Sequence, residues 1–183
     1  MAKENIWYVG TQDPNLRVFD IIMHSDWGTS YNAYLVKGSE KTALFETSKL
    51  EFFDEFLANV REVCDPASID YIVVDHTEPD HSGSLEKLLA LAPNATVLGS
   101  ATALNFLKQI VNHEFACRAV TEKDTVDLGG MTLHFLSVPF LHWPDSMYTY
   151  IPEAKALFTC DSFGCHYADS RVFNDLIEGD FTP

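Results

Sequence analysis

The sequence predicts a globular domain of mixed α/β or α+β class, because strand-like segments come first and strand–helix units follow. The chain has 183 residues, enough for one domain with a hydrophobic core. Hydrophobic residues make up 46% of it and charged residues 21%, a balance that argues against disorder. Two sheets packed face to face with helices outside fit this order of elements, but the pattern alone does not choose between the two classes.

Strands dominate the first part of the chain. Short apolar or alternating segments there predict extended backbone, and the polar segment 37–40 predicts a turn before the last of them. The predicted strands are Trp7–Val9, Val18–Met23, Tyr31–Val36 and Thr42–Phe45. Consecutive strands joined by short connections predict a β-meander.

The hydrophobic period then changes to the spacing of a helix. Ser48 and Glu51 stand three residues apart, which is the spacing of a capping box at a helix start. Apolar residues follow at intervals of three and four, so they share one helix face. They are Leu50, Phe53, Leu57 and Val60. Pro66 lies beyond the predicted end of this helix.

Strand–helix units and a hairpin follow. Tyr71–Val74 is a continuous apolar run, which predicts a strand buried on both faces. A polar loop from 75 to 83 leads into a helix over about 84–91, and Ser100 is expected to cap another helix. The other predicted strands are Thr96–Gly99, Thr125–Leu128, Met131–Val138, Tyr148–Ile151 and Leu157–Thr159.

Composition excludes several classes of function. The formal net charge of −15 opposes binding to nucleic acid or to an anionic membrane surface. No apolar run approaches the roughly 20 residues that span a bilayer, and no apolar signal core follows the N-terminus. The four cysteines form no CxxC pair and are expected to be reduced thiols. These features predict a cytoplasmic protein.

One loop is dense in potential metal ligands. His76, Glu78, Asp80 and His81 fall within six residues, directly after the predicted buried strand. Loops at strand ends often build functional sites, and an irregular loop can direct one pair of ligands at each of two ions. Pro79 restricts the loop by fixing its own backbone. The alternative, a solvated acidic loop with incidental histidines, is disfavoured by this density.

Two distant residues extend the set. His142 follows the second hairpin strand, and Asp161 follows the last predicted strand. Either alone would more often be a turn or capping residue. With the loop they form a set of six nitrogen and oxygen ligands. Asp161 suits a bridging position, because a carboxylate has two oxygens and can serve two cations.

These motifs resemble those of the metallo-β-lactamase superfamily, and most closely those of the flavodiiron proteins. The pattern HxExDH is followed by a distant His and a later Asp, and Glu78 stands where the hydrolases typically have histidine. Segments 28–35 and 161–167 also resemble flavodiiron sequences. The resemblance covers nearly the whole chain. It implies that residues 1–183 form a metallo-β-lactamase-like αββα sandwich, incomplete at the C-terminus and without the flavodoxin-like domain.

The resemblance also assigns roles to these residues. One iron would be held by His76, Glu78 and His142, the other by Asp80 and His81, with Asp161 bridging them. Family members have one more histidine ligand far downstream, and none is found here before Pro183. We therefore expect the second iron to lack one ligand unless another chain or a water supplies it. The residues expected around the ligands are His24, Tyr31 and His166.

The activity implied is reduction of O2 to water, of NO to N2O, or of both, by a diiron centre. The electrons would come from FMN in a partner or missing domain, through a flavodoxin-like or rubredoxin-type donor and a head-to-tail homodimer. Glu78 adds negative charge and a hard oxygen donor, which favours iron over zinc. Two alternatives remain: a dinuclear zinc hydrolase, against which Glu78 argues, and a non-enzymatic oxygen sensor or degenerate fragment.

Overall fold

The computed structural model describes residues 3–177. In chain order the strands are β1 (Ile6–Tyr8), β2 (Thr11–Asp13), β3 (Val18–Phe19), β4 (Met23–His24), β5 (Thr29–Tyr31), β6 (Tyr34–Lys37), β7 (Thr42–Phe45), β8 (Tyr71–Val74), β9 (Thr96–Gly99), β10 (Cys117–Ala119), β11 (Thr125–Asp127), β12 (Thr132–Ser137), β13 (Met147–Ile151) and β14 (Ala156–Phe158). The α-helices are α1 (Phe53–Val63), α2 (Pro79–Ser82), α3 (Leu85–Leu89) and α4 (Ala101–Ile110). Short 3₁₀ turns occur at Leu50–Phe52, Pro66–Ser68 and Asn174–Leu176.

Two larger sheets form the centre of the fold. The six-stranded sheet has the order β1-β6-β7-β8-β9-β10, and its strands from β7 to β10 are parallel. The four-stranded sheet is antiparallel, in the order β11-β12-β13-β14. The carboxyl ends of β7 and β8 therefore meet at the same edge of the first sheet, where loops from parallel strands usually build sites.

The core lies on both faces of the six-stranded sheet. In β8, Ile72 and Val74 pack with α1, α3 and α4, whereas Val73 packs against the four-stranded sheet. This explains the continuous apolar run, because both faces of the strand are covered. Within residues 3–177 the helices cover only the six-stranded sheet. Leu136 and Leu157, in the four-stranded sheet, are 39% and 46% exposed.

The predicted capping box is wrong. The chain enters α1 through the 3₁₀ turn Leu50–Phe52, and no side chain caps either element. The Ser48 hydroxyl lies instead 2.5 Å from the Thr11 hydroxyl, inside the fold. Glu51 forms an ion pair of 3.1 Å with Lys49 at the surface. The predicted cap at Ser100 is confirmed, since its hydroxyl accepts the N–H of Ala103 at the start of α4.

Two of the predicted early strands are interrupted. The segment 18–23 is a tight hairpin, because Asp20 and Ile21 take positive φ values of 47° and 73° and reverse the chain between β3 and β4. Segment 31–36 divides between β5 and β6, which pair with different strands. The structure also adds the short strands β2 and β10, which the sequence pattern did not predict. No helix in the described residues is long and apolar enough to cross a membrane.

Candidate metal centre

The loop after β8 carries four of the predicted ligands into the interior. His76 is fully buried, and Glu78 and His81 are almost so. The short helix α2 lies within this loop and holds Asp80 and His81 on its first turn. Gly83 closes that turn, and a Cβ atom there would collide with the Pro79 carbonyl oxygen. Short-range backbone geometry therefore sets where these side chains point.

His76, Glu78, His142 and Asp161 form one group of potential ligands. Nε2 of His76 lies 3.1 Å from Oε2 of Glu78. Nε2 of His142 lies 3.2 Å from the same Glu78 oxygen and 3.1 Å from Oδ2 of Asp161. His142 enters from the loop after β12, so the group joins the two sheets. Two imidazoles and a carboxylate are typical ligands of non-haem iron.

Asp80, His81 and Asp161 form a second group. Nε2 of His81 lies 2.7 Å from Oδ1 of Asp161 and 3.5 Å from Oδ2 of Asp80. Asp161 therefore directs Oδ1 at this group and Oδ2 at the first. The structure brings all six predicted ligands together, in two sets that share one carboxylate.

Several observations fit cations at these two positions. Oδ1 of Asp80 is buried and has no hydrogen-bond partner in the described residues, an arrangement that costs free energy unless something compensates it. In the described part of the chain, no lysine or arginine pairs with Glu78, Asp80 or Asp161. Burial raises the pKa of Asp80, and burial with the neighbouring Asp20 raises that of Glu78. Bound metal ions would relieve this crowding of acids.

The shared carboxylate and its histidine partners have strongly shifted pKa values. Burial alone would raise the pKa of Asp161, but the hydrogen bond and charge of His81 and the charges of His76 and His142 lower it to about 2. Burial would lower the pKa of His81, but Asp161, Asp80 and Glu46 raise it to about 10. Each shift favours the charged form and reflects the close approach of opposite charges.

Asp145 is a functional residue that the sequence reading missed. It is fully buried, and its Oδ2 accepts the N–H and hydroxyl of Thr77 at 2.8 Å each. The same oxygen lies 3.1 Å from Nδ1 of His76, so Nε2 of that ring faces the ligand group. Carboxylates that hold ligand histidines in this way are usual around protein metal sites. The available signal was its place two residues before the strand β13.

Glu46 and Asp75 were also missed. Both are buried directly after a strand, β7 and β8 respectively. Oε1 of Glu46 accepts the N–H of Asp75 at 2.8 Å, and Oδ1 of Asp75 accepts the hydroxyl of Thr149 at 2.9 Å. Burial raises the pKa of Glu46 well above its usual range and that of Asp75 to about 8. Each ends an apolar strand, the feature that singled out His142 and Asp161.

A cavity of about 340 Å³ opens onto both ligand groups. His166 lines it, with Nδ1 3.0 Å from the Thr29 hydroxyl. Tyr31 lines it too, and its hydroxyl is buried without a partner among the described residues. His24 lies on the surface instead, where it forms an ion pair of 3.3 Å with Asp26. Two of the three residues expected around the ligands thus face the cavity.

A sequence model described as "ODP family beta lactamase" matches residues 29–181. This chain belongs to the ODP family of β-lactamase-like proteins. Among curated relatives, the "Flavo-diiron protein FprA2" of Clostridium acetobutylicum is 50% identical over 177 residues, which are 96% of this chain and 44% of that protein. The "Type A flavoprotein fprA" of Rhodobacter capsulatus is 44% identical over 96% of this chain and 41% of its own length.

Two solved structures are also similar to this chain. The flavodiiron protein from Giardia intestinalis has a TM-score of 0.90 and 36% identity, over 94% of this chain and 42% of its own. The rubredoxin oxygen:oxidoreductase from Desulfovibrio gigas has a TM-score of 0.89 and 36% identity, over 96% of this chain and 44% of its own. The chain spans less than half the length of these relatives. The predicted flavodiiron resemblance and the metallo-β-lactamase-like fold class are confirmed.

Proposed function

We propose that this chain is the diiron module of a reductase that acts on O2, NO or both. The single observation that carries the proposal is the position of Asp161. Its two carboxylate oxygens face two separate groups of nitrogen and oxygen ligands. The domain limits 1–183 and the six-ligand set remain predictions that this proposal adopts.

The predicted ligands would hold two iron ions in this arrangement. His76, Glu78 and His142 would bind one ion, and Asp80 and His81 the other, with Asp161 between them. When bound, the pair of irons would supply redox chemistry between ferrous and ferric states and open positions for O2 or NO. The protein's part is to fix the ligands, for example by the contact of Asp145 with Nδ1 of His76.

Electrons would arrive from outside the described residues. The relatives' names include a type A flavoprotein and a rubredoxin oxygen:oxidoreductase, which supports FMN on another domain or chain and a flavodoxin-like or rubredoxin-type donor. The rim of the cavity offers a contact surface, because Ile21 and Phe163 are 93% and 91% exposed beside cavity-lining residues. We extend the proposal to a head-to-tail homodimer in the cytoplasm, in which this rim faces the donor.

The hydrolase alternative is not favoured, because the relatives are named as flavodiiron proteins, flavoproteins and an oxidoreductase. The decisive measurement is metal analysis of protein prepared without oxygen. We expect about two irons per chain, and oxygen or NO consumption when a reduced flavodoxin-type donor is added. Clearly less than one iron, with zinc bound equally well, would contradict the iron assignment. Reversible O2 binding without turnover would instead support a sensor.

Glu78→His tests why iron is preferred. The change removes a hard carboxylate oxygen and a negative charge, so we expect metal preference to shift from iron toward zinc. The protein would be incubated without oxygen with equal concentrations of iron and zinc, and the amount of each bound metal would be measured. Glu86→His, at a half-buried α3 position whose carboxylate accepts the side-chain N–H groups of Asn112, is the matched control and should leave the ratio unchanged. Unchanged preference in Glu78→His would remove the argument from ligand hardness.

A further inference from the structure

Glu46 is held in an unusual position beside the second ligand group. It follows β7 with φ of 58°, a left-handed conformation that is uncommon for residues other than glycine. Its N–H still donates to the Val73 carbonyl oxygen at 2.9 Å, so the backbone is fixed at the sheet edge. Strain of this kind persists where the surrounding structure requires it, often at functional sites. The conformation turns the Glu46 side chain inward, where it is fully buried.

The segment 46–47 contacts His81 in two ways. Thr47 donates both its N–H and its hydroxyl to the His81 carbonyl oxygen, each at 2.7 Å. Oε2 of Glu46 lies 3.7 Å from Nδ1 of His81 and has no hydrogen-bond partner among the described residues. The other oxygen, Oε1, is occupied by the Asp75 N–H. Residues 46 and 47 therefore contact both the backbone and the ring of His81.

A histidine binds a metal through a ring nitrogen that carries no proton. Nε2 of His81 faces Asp80 and Asp161, so the proton must lie on Nδ1 when a metal is bound. A carboxylate oxygen beside Nδ1 accepts that proton in a hydrogen bond and stabilises the required tautomer. In the described residues, no other carboxylate forms an ion pair with this nitrogen.

We propose that Glu46 is a positioning residue for His81, which accepts the Nδ1 proton and leaves Nε2 free for the second metal ion. This inference rests on the proposed diiron function. It differs from the role of Asp145, which holds His76 of the first group. Each ion would thus have its own buried carboxylate, in contact with the Nδ1 atom of one of its histidine ligands.

Glu46→Gln tests this assignment. Oε1 of the new amide must still accept the Asp75 N–H, so its NH2 group is directed at Nδ1 of His81. That nitrogen then has to accept, and the proton moves to Nε2, where it blocks the metal. We expect affinity for one of two Zn²⁺ or Fe²⁺ ions to fall about 10- to 100-fold. In the zinc-loaded protein, the ring ¹⁵N shifts of His76 and His142 should still show ligation, and those of His81 should not.

Asp70→Asn is the matched control, because the Asp70 carboxylate also accepts a backbone N–H, that of Thr42, but at the opposite end of β7 from Glu46. It should bind two ions. Glu46→Asp keeps the negative charge but moves the carboxylate oxygens away from Nδ1 of His81. It should also weaken the binding of only the second ion. Glu46→Gln that holds two ions with His81 ligated, or loss of the same ion in Asp70→Asn, would overturn the inference. Wild-type protein with fewer than two ions would overturn the proposed function itself.

Discussion

At the scale of single residues, the centre depends on buried carboxylates that bind no metal themselves. Asp145 contacts His76 and Thr77, and Glu46 contacts His81 and Asp75. A free carboxylate in such an environment is costly unless hydrogen bonds or positive charge surround it. Metal ions with histidine ligands would supply that positive charge. The affinity of each ion should therefore depend on residues one contact away from it.

Asp145→Asn should weaken metal binding at the first group. The neutral amide is a poorer acceptor for Nδ1 of His76 than the carboxylate, and its NH2 group is buried. We expect affinity for one of two ions to fall about 10- to 100-fold, as measured by calorimetric titration with Zn²⁺. Asp124→Asn is the control, because Asp124 also accepts the N–H and hydroxyl of a threonine, Thr121, but on the exposed surface. Equal affinities in the two variants would contradict this role.

The sequence predicted the ligands that stand next to one another in the chain or directly follow an apolar strand. His76 to His81 are adjacent in sequence, and His142 and Asp161 were found because polar residues after apolar strands are conspicuous. Asp145 lies three residues after His142, but its role depends on the ring of His76, which comes from the loop after β8. Glu46 also follows an apolar strand, but its place beside His81 depends on the parallel pairing of β7 with β8, and hydrophobic period does not specify strand order.

At the scale of elements, helix starts show how local signals and tertiary contacts compete. Ser48 and Glu51 have the spacing of a cap, but the Ser48 hydroxyl is used inside the fold by Thr11. Ser100 does cap α4, and its hydroxyl also donates to the Asp145 carbonyl oxygen at 2.8 Å. The hairpin of β3 and β4 was read as one strand, because its apolar residues conceal the reversal at Asp20 and Ile21.

Ser100→Ala should destabilise the protein, since it removes the cap of α4 and leaves the Asp145 carbonyl oxygen without this donor. We expect the free energy of unfolding to fall by about 1–2 kcal/mol, measured by urea denaturation of metal-free protein. Glu51→Ala, at the position that the false capping box would need, should change it by less than about 0.5 kcal/mol. A larger loss in Glu51→Ala than in Ser100→Ala would favour the original capping prediction.

At the scale of the whole molecule, two sheets are joined by a core and by the candidate metal centre. Most of the core between the sheets comes from side chains such as Phe45 and Phe135. The two groups of ligands sit at one end of this interface, with four ligands from the loop after β8 and two from loops that follow strands of the second sheet. The overall layering was predictable from the order of strands and helices. The sheet order was not, because it depends on pairing between distant segments.

Metal loading should raise thermal stability, because ions that bind only the folded chain stabilise it. At 100 times the dissociation constant the gain is about 2.7 kcal/mol per site, or roughly 5–10 °C in Tm for a protein of this size. Differential scanning calorimetry with and without Fe²⁺, in the absence of oxygen, measures it. Asp161→Asn should lose most of the gain, since Asp161 serves both groups. A full gain in that variant would contradict the shared position.

The shared position of Asp161 should also affect the kinetics of unfolding when metal ions are bound. His81 and Asp161 lie 80 positions apart in the chain, and their side chains meet only after both sheets have docked. Bound ions would then act as a cross-link that forms late in folding and must break early in unfolding. We expect chelation to accelerate the unfolding arm of a chevron plot and leave the refolding arm nearly unchanged. The lifetime of the folded protein would thereby report how well its metals are retained.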